Sequence, residues 1–290
     1  MSFSHYLLQN VNISVIIPTH NRAHAIGRAI ESVLKQSLPP AEVIIVDDGS
    51  TDETAELIQN NFPACHYLHQ QNQGVSSARN SGISTATGEW LAFLDSDDEW
   101  MPDKLATQTS ALKSKPDVKL CHTEEIWIRN GKRVNQMKKH AKTGGWIFQH
   151  CLPLCAISPS SVIIHRSLFE EVGLFDETLP ACEDYDLWLR ICAFHPTLFI
   201  ETPQIIKHGG HEDQLSRKHW GMDRFRIQAL ENIIAHSELP PIDRKAATEI
   251  LIKKAGILAQ GAIKRGKEDQ AQIYLKKEQH FQQQLIQDKH

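Results

Sequence analysis

The sequence predicts an α/β protein: a mixed, mostly parallel sheet flanked by helices, plus a C-terminal helical appendage. Three observations predict it. Short continuous apolar runs, such as Val43-Ile44-Ile45-Val46 and Trp90-Leu91-Ala92-Phe93-Leu94, have the length and composition of strands buried on both faces. Segments with apolar residues at helical spacing lie between them, and this alternation as far as Leu94 means a parallel sheet with right-handed crossovers. Beyond residue 217 the strand signal ends and helical periodicity takes over.

The elements follow in order. Val11 to Pro18 reads as a buried strand, ended by Pro18-Thr19-His20-Asn21-Arg22, because proline cannot stay in a central strand. Ala25, Ile26, Ala29, Ile30, Val33 and Leu34 fall on one face of a helix over residues 23–36, broken by Pro39-Pro40. A strand over 42–46 runs into Asp47-Asp48-Gly49-Ser50-Thr51-Asp52, where Gly49 permits a sharp turn. Ser50, Thr51 or Asp52 can cap the helix at 53–61. A short strand at 65–69 and a helix at 74–84, carrying Arg79 and Asn80, lead to the strand at 90–94.

That strand breaks off into Asp95-Ser96-Asp97-Asp98. Acids thus stand past the carboxyl ends of two strands, the rim where open α/β sheets bind ligands. Asp95 and Asp97 lie two apart and point the same way in an extended segment. Converging carboxylates repel unless a cation or protons hold them. A divalent cation with open positions can also hold a diphosphate. The plain alternative is an acidic loop in which Asp98 caps the helix after Pro102.

After a helix over 102–113 the pattern changes. Residues 118–122 and 125–129 read as two strands, and Asn130-Gly131 is a strong hairpin signal. Residues 137–145 form a basic loop, mobile or simply solvated, and 160–165 a buried strand. A short helix over 168–175 ends at Gly173. Tyr185, Trp188, Leu189 and Cys192 share one helical face, which puts Glu183 and Asp184 in a first turn, where acids also suit the helix dipole. Short strands at 197–202 and 204–207 lead to His208-Gly209-Gly210-His211. Three helices are expected after Arg217, at 219–237, 243–265 and 268–287.

Composition excludes several classes. The chain has 290 residues and a formal net charge of −4, which gives no electrostatic case for nucleic acid. The charge is uneven: residues 242–290 carry +4 and the remainder −8. That basic balance favours an acidic surface, including peripheral membrane contact through the C-terminal helices, although a solvated helix face accounts for it more simply. No apolar run reaches the ~20 residues of a membrane span. The first ten residues lack the pattern of a signal peptide. Six scattered cysteines without a C-x-x-C pair read as reduced thiols of a cytoplasmic protein.

The combination of motifs resembles the family 2 glycosyltransferases of GT-A fold, over about residues 12–216. Four pieces carry the resemblance: Val15-Ile16-Ile17-Pro18-Thr19-His20-Asn21-Arg22, Val46-Asp47-Asp48-Gly49-Ser50-Thr51-Asp52, Asn72-Gln73-Gly74-Val75-Ser76-Ser77-Ala78-Arg79-Asn80 and Leu94-Asp95-Ser96-Asp97. A fifth, Glu183-Asp184-Tyr185-Asp186-Leu187-Trp188-Leu189-Arg190, is like the family's acidic catalytic motif. A lone D-x-D is weak, and five motifs in order are strong.

The resemblance implies an inverting, metal-dependent transfer of a sugar from a nucleotide-diphosphate donor, read as a UDP-sugar, to a hydroxyl of a glycan or lipid-linked acceptor. Pro18, Thr19 and Asp47 would line the base pocket. Arg79 would lie beside base and diphosphate. Asp95 would bind ribose, with Ser96 next to it, and Asp97 would bind Mg²⁺ or Mn²⁺. Asp184 would be the general base and Glu183 an acceptor-orienting acid. His211, or else His208, would reach the metal or diphosphate, and Arg217 or Lys218 would clamp the diphosphate. Residues 1–216 would form the transferase domain, with 1–100 holding the donor and 101–216 the acceptor, and 217–290 the helical region. The rivals are a sugar-phosphate nucleotidyltransferase, whose Gly-rich basic phosphate loop is not seen at Pro18 to Arg22, and a non-catalytic glycan-binding member of the fold.

Overall fold

The computed structural model describes residues 11–135, 137, 140–210 and 219–287. Strands β1 (Ile13–Thr19), β2 (Glu42–Asp48), β3 (His66–Gln70) and β4 (Trp90–Phe93) alternate with helices α1 (Ile26–Leu34), α2 (Thr54–Asn61) and α3 (Val75–Thr85). These four strands pair in parallel in the order β3-β2-β1-β4. Every residue of β1 is buried, Ser14 and Thr19 with the apolar Ile13, Val15, Ile16 and Ile17, as expected of a central strand covered on both faces. Side-chain alternation then divides two cores. Ile16, Ile44, Val46, Leu91 and Phe93 face one side, and Val15, Ile17, Val43, Ile45 and Ala92 the other. Helix α3 packs so closely on β1 that a Cβ on Gly82 would lie 2.4 Å from Ile16 Cγ2.

Past α4 (Lys104–Lys113) the sheet turns mixed. Strand β8 (Ile163–His165) lies antiparallel to β4 and joins it to β6 (Leu120–Arg129). Next come β9 (Leu198–Gly209), parallel to β6, and β5 (Glu99–Trp100), antiparallel to β9. Strand β7 (Lys132–Val134) closes the hairpin on β6 through Asn130 and Gly131, both at positive φ, as a type I′ turn requires.

Several boundaries differ from the sequence reading. Strand β1 runs on through Pro18 to Thr19: both pair with β2, while the pairing of β1 with β4 stops at Ile16. The two strands expected at 118–122 and 125–129 are one strand, and so are those at 197–202 and 204–207. The register shifts around Glu124 where it faces Pro203, so the proline's missing N–H falls at a bulge and both strands continue. The strand expected from Ser160 begins only at Ile163, because Pro159–Ser161 is a 3₁₀ turn.

Helices α5 (Phe148–Cys151), α6 (Ser167–Val172) and α7 (Glu183–Cys192) cover the first core. The C-terminal helices α8 (Asp223–Ile234), α9 (Pro241–Lys264) and α10 (Glu268–Gln287) extend the same apolar cluster through Ile227, Leu230, Leu251 and Phe281. Among the described residues no helix is long and apolar enough to cross a membrane.

Candidate active site

The carboxyl ends of β1, β2 and β4 open into a cleft of about 830 Å³ whose far wall is α7 and the segment before it. Pro18 and Thr19 line it from β1, and Thr19 Oγ1 is buried with no hydrogen-bond partner among the described residues. Asp95, Ser96, Asp97 and Asp98 line it from the end of β4, and Glu183 and Asp184 from the start of α7. Asp97 and Asp184 therefore share one cleft.

Strand alternation corrects the expectation for Asp47. Its side chain is fully buried, and its carboxylate accepts from Ser50 N at 2.8 Å and Tyr67 Oη at 2.7 Å. The neighbouring Asp48 lines the cleft instead, accepting from Gln70 Nε2, Gln73 N and Gly74 N at 2.8–2.9 Å. Successive strand residues point to opposite faces, so only one of the pair can look into the cleft. Gly49 closes the turn beyond them at φ +76°, where a Cβ would meet Asn72 N at 2.8 Å.

Arg79 lines the cleft, with its guanidinium engaged by protein carboxylates. Its guanidinium donates to Glu183 Oε1 at 2.6 Å and to Asp95 Oδ1 at 2.8 Å, lies over the Phe175 ring, and leaves a side chain only 4% exposed. It ties the end of β4 to the start of α7. Burial opposes ionisation of Asp95, yet Arg79, with Lys207 beyond it, holds that carboxyl below its usual range. Glu183 goes the other way. Burial first, then the adjacent Asp184 charge, push it up against the pull of Arg79.

Asp98 does not cap α4, whose N-cap is Asp103. It turns inward and accepts from Ser160 Oγ at 2.7 Å and His208 N at 3.3 Å, with Lys207 Nζ 3.6 Å away. The 3₁₀ turn at Pro159–Ser161 supplies Ser160. Burial, relieved by Lys207 and aggravated by Asp97 and Asp95, raises Asp98 to about 7.

Helix α7 starts from Cys182 at φ +65°, a left-handed conformation that non-glycine residues hold at a cost of about 1–3 kcal/mol. That turn aims Glu183 at Arg79. Asp184, half-buried, accepts from Tyr185 N at 2.7 Å and from Cys155 Sγ at 3.3 Å.

His208 lines the cleft, with Nε2 3.4 Å from Glu99 Oε2. His211, Arg217 and Lys218 lie outside the described residues. Sequence reasoning missed Lys207, Glu125, Lys142, Cys155 and Arg226, which all line the cleft. Lys207 carried a signal: a cation ending the apolar pair Ile205-Ile206 is the mirror of acids ending β4. Glu125 and Lys142 pair at 3.1 Å across the sequence and carried none.

The model of glycosyl transferase family 2 matches residues 14–173, more than half of the 290-residue chain. The chain belongs to this family. It is 32% identical over 213 residues to an uncharacterized glycosyltransferase of Rickettsia felis, covering 71% of this chain and 35% of that protein. It is 31% identical over 181 residues to WfgD of Escherichia coli, a UDP-Glc:alpha-D-GlcNAc-diphosphoundecaprenol beta-1,3-glucosyltransferase, covering 62% of this chain and 69% of WfgD. The chain spans about a third of the length of the first curated relatives it matches, 31–35% of each. Residues 1–349 of S. aureus TarS, in a crystal structure with UDP-GlcNAc, superpose with a TM-score of 0.65 at 17% identity, covering 94% of this chain and 92% of that one. This chain and TarS thus share the GT-A fold.

The donor set at the cleft fits a hard divalent cation. Among the described residues no three His, Cys, Asp or Glu side chains form a metal cage. Mg²⁺ is usually held by one or two carboxylates plus substrate phosphates, not by an all-protein site. Asp97, half-buried at the cleft wall, meets that requirement.

Proposed function

We propose that this chain is an inverting glycosyltransferase that moves a sugar from a UDP-sugar to a hydroxyl of a glycan or lipid-linked acceptor. The observation that carries the reading is that Asp97 and Asp184 line a single cleft, on walls joined by Arg79. Its relative WfgD, named for a UDP-Glc donor and a diphosphoundecaprenol-linked acceptor, supports the donor and acceptor classes.

The uracil lies against Pro18, Thr19 and Asp48, where the unpartnered Thr19 hydroxyl and the Asp48 carboxylate offer acceptors for its ring N–H. Asp95 takes the ribose, next to Ser96. Arg79, in the cleft wall, holds Asp95 and Glu183 in place. Asp184 accepts the proton of the acceptor hydroxyl as that oxygen bonds to the anomeric carbon. The bond from that carbon to the diphosphate oxygen breaks on the opposite side, which inverts the configuration and releases UDP. Mg²⁺ or Mn²⁺ held at Asp97 would supply charge stabilisation for the departing diphosphate. The division into a transferase unit at 1–216 and a helical region at 217–290, cytoplasmic and in peripheral contact with a membrane carrying the acceptor, belongs to the same proposal.

The test is UDP release from a panel of UDP-sugars with Mn²⁺ or Mg²⁺ and lipid-linked or free glycans. Release that depends on acceptor, and that is abolished by chelation, Asp97→Ala or Asp184→Asn, is expected. Pyrophosphate release from a nucleoside triphosphate and a sugar phosphate, or variants as active as the parent, would overturn the reading.

A further inference from the structure

Asp184 is gripped at both oxygens by groups outside the reacting set. Tyr185 N holds Oδ1 at 2.7 Å, and Cys155 Sγ lies 3.3 Å from Oδ2. The thiol has one proton and two acceptors in reach, since Ile157 O is also 3.2 Å away. An ionised carboxylate accepts more strongly than a carbonyl, so the proton belongs to Asp184. Cys155 itself sits on a pinned segment. Tyr185 Oη donates to Leu152 O at 2.6 Å, Lys254 Nζ to Pro153 O at 2.8 Å, and Lys207 Nζ to Ser158 Oγ at 2.9 Å. The thiol is therefore placed by its neighbours and imposes its direction on Asp184.

We propose that Cys155 is a positioning residue for the general base: it donates to Asp184 Oδ2, orients the carboxylate and keeps its remaining lone pairs turned to the cleft. The inference rests on Asp184 being that base. Each carboxylate oxygen accepts in two directions, so one thiol and one amide leave a site on each oxygen for the incoming hydroxyl. The contact acts on both partners. Burial first, and then the Asp184 charge, raise the Cys155 thiol well above its ordinary value. The charged and titratable groups facing the pair are Cys182, Glu183 and Tyr185 beside Asp184, Cys151 of α5 and Arg226 of α8, with Arg79 of α3 behind Glu183.

Two measurements test it. Cys155→Ala should lower kcat roughly 2- to 10-fold, the worth of one hydrogen bond, with KM for the donor unchanged. It should also move the acid limb of the kcat–pH profile upward, because the ionised base loses a donor. Cys155→Ser, which keeps a donor, should restore both. A merely structural role would lower the melting temperature and leave the acid limb where it was, and that result overturns the proposal. The second measurement needs no turnover: the rate at which iodoacetamide labels Cys155 at pH 8, read on its own peptide by mass spectrometry. Asp184→Asn should label several-fold faster, since no anion then opposes the thiolate. Equal rates overturn the proposal. A parent inert toward every nucleotide sugar, together with faster labelling in Asp184→Asn, would instead overturn the transferase reading and leave the thiol–carboxylate contact standing.

Discussion

Arg79 and Glu183, 104 residues apart in sequence, form an ion pair at 2.6 Å with side chains only 4% and 5% exposed. Because the same guanidinium holds Asp95, the walls of the cleft are set against each other by one side chain. Removing one partner of a buried pair leaves uncompensated charge and costs about 3–5 kcal/mol. Arg79→Gln should therefore lose about that much stability in a urea titration, and activity with it. Arg79→Lys should recover little, because an ammonium lacks the fork that reaches two carboxylates at once.

Asn80 continues the same brace. Its amide donates to Phe175 O at 2.9 Å and accepts from Phe175 N at 3.1 Å, fastening the segment that leads into α7. Asn80→Ala strands both backbone groups in a buried place, at about 1–3 kcal/mol. The expected result is a lower melting temperature, and a reduced kcat with the donor's KM nearly unchanged.

Gly82 has no room for a side chain, since an added methyl would meet Ile16 2.4 Å away. Ile16 is fully buried in the central strand and cannot retreat. Gly82→Ala should cost about 1–3 kcal/mol by overpacking, despite alanine's better helix propensity. An urea midpoint equal to the parent's would show that the α3–β1 contact is looser than this.

Lys104 supplies a pH dependence away from the chemistry. It is fully buried, with Nζ 4.0 Å from the centre of the Trp100 ring and 3.3 Å from Val162 O, and burial lowers it to about 7 from an ordinary 10.5. Between those values the unfolded chain holds a proton that the folded chain lacks, so stability contributed by this group rises with pH from about 7 to about 10.5. Below pH 7 the full cost of burying the charge is present. Lys104→Met should raise stability by about 1–4 kcal/mol at pH 6, by analogy with replacing buried ions by apolar groups. The gain should shrink as pH rises, which melting curves across pH 6–10 would record.

Much of this architecture was legible in the chain. The buried strands read at 11–18, 42–46 and 90–94 announced themselves by their apolar residues, and Asp47, Asp48, Asp95 and Asp97 as acids at strand ends. Asn130-Gly131 marked its hairpin, and the residues ahead of Trp188 marked the first turn of α7. These signals are local: side-chain period, turn chemistry and caps act over a few residues. Partners brought together across many residues left no such trace. Only the folded molecule decided that Asp48 and not Asp47 faces the cleft, that Asp98 turns to Ser160 and Lys207, and that Arg79 serves Glu183 and Asp95. It likewise decided that Cys155 reaches Asp184. The reason is physical: a buried charge takes whichever opposite charge or donor the packing of distant elements brings within reach.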